Sequence, residues 1–207
     1  MPFKMQEPEK MKYVLLFMAL LSCSIFSIAQ KPEDPGVLDT DSSWKKEIFH
    51  FPLNFAKEIN YTGIEDARFP TGWGNKDSVA FWSYAFAWHI NLGATLTERE
   101  LESNLQIYFD GLMRAVNSDK EAILESTIAL FIKKGPASDT PRFVGKIRVF
   151  DAFFTKKPMI LNVLVDRYFC KQEKNHILLF RFSPREFESE IWKKLKEVKL
   201  RANSCTF

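Results

Sequence analysis

Among the 26 acids of this chain, Glu65, Asp66, Asp151 and Asp166 are the candidates for proton transfer. A hydrolase built on carboxylates needs two of them at a fixed separation, one protonated and one ionised. Their spacing assembles no such pair, and acids on strands usually face water or pair with arginines such as Arg148. Hydrolysis by these carboxylates is the rival reading, and no catalytic residue is assigned.

The histidines, His50, His89 and His176, lack the short paired spacing of a metal motif, so no metal and no cofactor are expected. Ser83 and Ser183 have no nucleophile-elbow context, and Gly72-Trp73-Gly74 is too short for a phosphate-binding loop. The cysteines carry a different chemistry. In an oxidising compartment Cys170 and Cys205 are expected to join as a disulfide that pins the C-terminal tail to a strand end.

A run of alternating residues offers a binding surface instead. Over residues 80–90, Trp82, Tyr84, Phe86, Trp88 and Ile90 fall on one face of a strand, and Phe81, Ser83, Ala85, Ala87 and His89, nearly all small, on the other. A large apolar face ordinarily packs into a core. On a strongly curved sheet the same face lines a cavity, which makes Trp82, Tyr84, Trp88 and His89 the candidate ligand contacts. The small face lets a second segment approach closely.

These residues must be held by surrounding elements. Residues 47–51 read as a short edge strand stopped by Pro52, and 53–76 as an irregular, ordered segment rich in glycine, proline and aromatics. Thr97 and Glu100 form a capping box that opens a helix, with Leu101, Leu105, Tyr108 and Leu112 as its apolar stripe. Strands follow at 127–133, 143–154, 159–170 and 176–182, and their short connectors imply antiparallel hairpins. A last helix is expected over 184–200, capped by Ser183 with Glu186, its outer surface basic. The fold class is α+β: an antiparallel sheet of about five to six strands packed against two helices on one face. The layout resembles helix-grip folds and also the PsbP-like sandwich.

Upstream, the apolar residues 13–29 follow Lys12 and end in Ser27-Ile28-Ala29, the layout of a secretory signal. Residues 1–29 are therefore read as a signal peptide, with Met11 as an alternative start and Gln30 as the new terminus. Residues 30–43 form a flexible lead and 44–207 a single α+β domain. Leu20-Leu21-Ser22-Cys23 resembles a lipobox, so a lipid anchor at Cys23 is the alternative to soluble export; an uncleaved anchor is a third reading, at the short limit for a bilayer span. The expected location is periplasmic or secreted, with no transmembrane segment in the mature chain. A net charge of +3 is too small to imply nucleic acid as a partner.

The stretches FWSYAFAWHI at 81–90 and YFDGLM at 108–113 resemble uncharacterised exported bacterial proteins, a likeness that implies no activity. The leading expectation is a non-enzymatic exported domain that binds a small apolar ligand or an envelope protein. Besides the hydrolase, an envelope assembly or structural accessory is the third possibility, and the oligomeric state stays open.

Overall fold

The computed structural model describes residues 36–93, 96–119, 123–134 and 143–205. The signal region, the alternative start at Met11 and the lipidation candidate Cys23 lie outside them. The chain enters through β1 (Leu38–Asp39), β2 (Lys45–His50), β3 (Gly63–Phe69) and β4 (Tyr84–Ile90), then crosses by helix α1 (Glu98–Val116). It returns through β5 (Ile128–Lys133), β6 (Phe143–Phe150), β7 (Pro158–Cys170) and β8 (Asn175–Ser183) to helix α2 (Glu190–Glu197) and β9 (Lys199–Leu200).

The α+β class holds, with an antiparallel main sheet in the order β2-β3-β4-β8-β7-β6-β5. Two meanders meet where β4 pairs β8, and α1 carries the chain from mid-sheet to the far edge. The described residues supply seven strands to this sheet, not five to six, because β3 lies inside the segment read as irregular. A small ribbon, β1 with β9, sits apart from it. Part of the expected lead is therefore structured: Val37 and Leu38 are buried.

Each face of the sheet is covered. On one, Phe86, Trp88, Phe180 and Phe182 pack with Leu101, Leu105 and Phe109 of α1, all fully buried. Burying each such side chain contributes roughly 1.5–3 kcal/mol. On the other, the small residues Ala85 and Ala87 admit Val37, Leu38 and Val198, while Ile191, Trp192 and Leu195 of α2 pack on Leu164. The two helices thus lie on opposite faces rather than on one.

Local signals explain the helices, with one correction. Thr97 and Glu100 make the expected capping box on α1. Ser183 caps nothing: it ends β8, and its hydroxyl accepts the Arg185 N–H and bonds the Ser83 hydroxyl at 2.8 Å. α2 accordingly starts after Ser189 and stops at Glu197, and Lys199–Leu200 turn into strand. The strand expected at 80–90 likewise begins only at Tyr84, since Trp82 takes a left-handed backbone, φ 52°.

Helix α1 also closes a sheet edge. Glu102 accepts the Phe131 N–H at 2.8 Å and Asp110 the Thr127 N–H at 2.7 Å. These acids stand just over two turns apart on α1 and satisfy one donor within β5 and one just before it that an open edge would present to another chain. Close approach continues at Gly111, where a Cβ would lie 1.8 Å from the Phe55 carbonyl oxygen. Alanine in a helix ordinarily gains about 1 kcal/mol over glycine. Here Gly111→Ala is expected to lose roughly 1–3 kcal/mol through overpacking, read from the denaturant midpoint.

At the C-terminus Cys170 and Cys205 are joined in the expected disulfide, with Cα atoms 5.2 Å apart. No helix among the described residues is long and apolar enough to cross a membrane.

Candidate functional site

Strand register decides which side chains meet. Pairing of β2 with β3 sets Phe49 opposite Glu65, Glu47 opposite Ala67 and Lys45 opposite Phe69. Pairing of β3 with β4 sets Glu65 opposite Trp88 and Ala67 opposite Phe86. Side chains alternate along a strand, so Glu65 shares the α1 face of the sheet while Asp66 points to the other.

On the α1 face, beside the filled core, lies a cleft of about 320 Å³. Its walls include rings from three separate stretches of the chain, 69–84, α1 and the turn after β6. Phe69 and Tyr84 come from the sheet, with centroids 5.5 Å apart and stacked; Trp73 and Trp82 come from the 70–82 loop; Tyr108 comes from α1; Phe153 and Phe154 follow β6. Trp73 meets Phe69 at 4.7 Å and Phe154 at 5.3 Å. The Trp82 indole N–H is sealed from solvent without an acceptor among the described residues, so its ring rather than its N–H forms the wall.

The floor carries an acid. Glu65 is 1% exposed, accepts the Trp88 indole N–H at 2.7 Å and accepts the Tyr108 hydroxyl at 2.9 Å. Burial pushes its carboxyl from the ordinary 4.5 up to about 7; the two donors pull it down, and the charges of Asp66 and Glu47 raise it further. Burial also holds the Tyr84 and Tyr108 hydroxyls well above the usual tyrosine range. Glu47 shares the cleft, with Lys45 2.5 Å from it.

The four acids of the hydrolase reading are not brought together. Asp66 accepts the Val37 and Leu38 N–H groups and pairs Arg68 on the opposite face. Asp166 pairs Arg181 at 2.5 Å, not Arg148, whose partner is Glu125. Asp151 closes its own turn, accepting the N–H groups of Phe153 at 3.0 Å, Phe154 at 3.0 Å and Thr155 at 2.7 Å. It is a positioning residue, because that turn sets two rings into the cleft wall. Glu65 alone of the four lines the cleft.

Of the candidate ligand contacts, Trp82 and Tyr84 line the cleft, and Trp88 lies behind it as a donor to Glu65. His89 faces the other side of the sheet, 3.3 Å from Glu173; its burial lowers the imidazole pKa more than Glu173 raises it. Among the described residues no three His, Cys, Asp or Glu side chains gather as a metal set. Phe69, Trp73, Phe153 and Phe154 were not among the expected contacts. Their one signal in the sequence is the density of aromatics at 51–82 and 143–154, too heavy to leave wet.

Comparison of the chain with family models, with curated proteins and with solved structures finds no match.

Proposed function

We propose that this protein is an exported binding domain whose ligand is a small, largely apolar molecule held in the ring-lined cleft. The observation that carries the reading is the cleft itself: about 320 Å³, walled by Phe69, Trp73, Trp82 and Tyr84, with one acid at its floor. Small-molecule sites are concave and mostly apolar, with few polar groups to fix orientation, and volumes of about 300–1,000 Å³ are usual. The rest of the same sheet face is filled by core side chains, so the space at this end is not loose packing. A helix-grip-like layout accords with this, with α1 rather than the C-terminal helix in the grip. Export rests on residues 13–29 and agrees with the Cys170–Cys205 bond.

A titration with a neutral apolar dye such as Nile red tests the reading. Saturable one-to-one binding is expected, weakened about tenfold or more by Ala67→Phe, which projects a ring into the cleft from its sheet wall. Absence of saturation, or binding indifferent to that substitution, rules the cleft out.

A further inference from the structure

We propose that the ligand is a lipophilic organic cation, an ammonium on an apolar body, with Glu65 as its counter-ion. This deepens the cleft reading above and rests on it. Buried carboxylates persist where cations or several donors compensate them. Asp66 has Arg68 and two backbone N–H groups, Asp166 has Arg181, and Asp151 has the N–H groups of its own turn. Glu65 is the exception among them. It has two neutral donors, Trp88 and Tyr108, while the charges acting on it are those of Asp66 and Glu47, both acids. A carboxylate offers about four lone-pair sites, so two donors leave capacity for another positive partner.

The walls favour the same sign. Aromatic faces carry negative quadrupole density, and a cation over Trp or Tyr in a desolvated site is attracted more strongly than at an exposed one. Phe69, Trp73, Tyr84 and Tyr108 all present rings to one small volume above a carboxyl that bulk water scarcely screens. Lys45, the one cation lining the cleft among the described residues, sits against Glu47 at 2.5 Å. An anionic ligand would meet Glu65 and Glu47 together, and a neutral one is matched to Glu65 only while that carboxyl holds its proton, whereas a cation favours the ionised form.

Calorimetric titration at about pH 8 compares benzyltrimethylammonium with neopentylbenzene, its neutral isostere of nearly the same shape. The cation is expected to bind about tenfold tighter or better, and Glu65→Gln to bring the two within about threefold. Trp73→Leu, at the half-buried rim, keeps the carboxyl and is expected to weaken the cation selectively; it decides the matter should the Glu65 variant not fold. Equal or tighter binding of the neutral probe overturns the cation while leaving the cleft reading intact. A cation preference that survives Glu65→Gln, or that Trp73→Leu leaves unmoved, overturns it too. If neither probe binds, the cleft reading falls with it.

Discussion

Replacing Asp66 with alanine is expected to lower stability by about 3–5 kcal/mol, the usual cost of removing one partner from a buried charged pair. Asp66 is fully buried, and one oxygen accepts three hydrogen bonds: Val37 N–H and Leu38 N–H at 2.8 Å each, and Arg68 Nη2 at 2.9 Å. The other accepts Arg68 Nε at 2.6 Å. This carboxylate is the clamp that seats β1 against β9 and presses Val37 and Leu38 onto Ala85 and Ala87. Gly36 makes the approach feasible, since its φ of 67° suits glycine and a Cβ there would lie 2.2 Å from the Asp66 oxygen. Alanine orphans two buried N–H groups and strips Arg68 of this partner, each a penalty larger than the bond it replaces. Asp66→Asn keeps an acceptor and loses the charge, so its loss is expected to be smaller. Urea unfolding reads both through the midpoint at unchanged slope. A loss below about 1 kcal/mol for alanine would show that β1 is held by apolar packing alone.

That clamp also shows why β3 escapes a reading of the sequence. GIEDARF carries three charged side chains in four positions, a pattern that resembles a solvated loop. It is an interior strand because Glu65 and Asp66 find partners from elsewhere, Trp88 and Tyr108 for the one and Val37 and Leu38 for the other, while Arg68 pairs Asp66. No local signal announces such partners. Where one element satisfies its own needs the sequence is legible, as in the Thr97–Glu100 box, the alternation at 84–90 and the hairpins joining β6, β7 and β8. The Ser183–Glu186 pair looks just as convincing but is not a cap, since β8 runs through Ser183 and its hydroxyl serves the turn instead. The cleft was legible by half. Trp82 and Tyr84 belong to the alternating run, whereas Phe153 and Phe154 arrive about 70 residues later on a turn that Asp151 folds.

Glu65→Gln is expected to overtake the wild type in stability as pH rises, by a swing of about 3 kcal/mol between pH 4.5 and 8. The folded protein holds the Glu65 proton up to about pH 7, whereas the carboxyl ordinarily releases it near 4.5. Between those values the folded state binds the extra proton. The stability tied to it is complete below about pH 4.5, is lost as pH rises to about 7, and stays level above. Glutamine has no proton to lose, so the difference between the two proteins isolates this group from every other titration. Its charged and titratable neighbours are Lys45 and Glu47 on β2, Asp66 on β3, Tyr84 on β4 and Tyr108 on α1. The tyrosines stay neutral across the window because burial raises them well above 10. Unfolding both proteins in urea at about pH 4.5, 6 and 8 gives the swing directly. A difference that stays flat with pH would mean that Glu65 ionises as it does in water, with the cleft floor open to solvent. Benzyltrimethylammonium at saturation adds the decisive contrast at about pH 8: bound beside the ionised carboxyl, it raises the stability of the wild type well above its effect on Glu65→Gln.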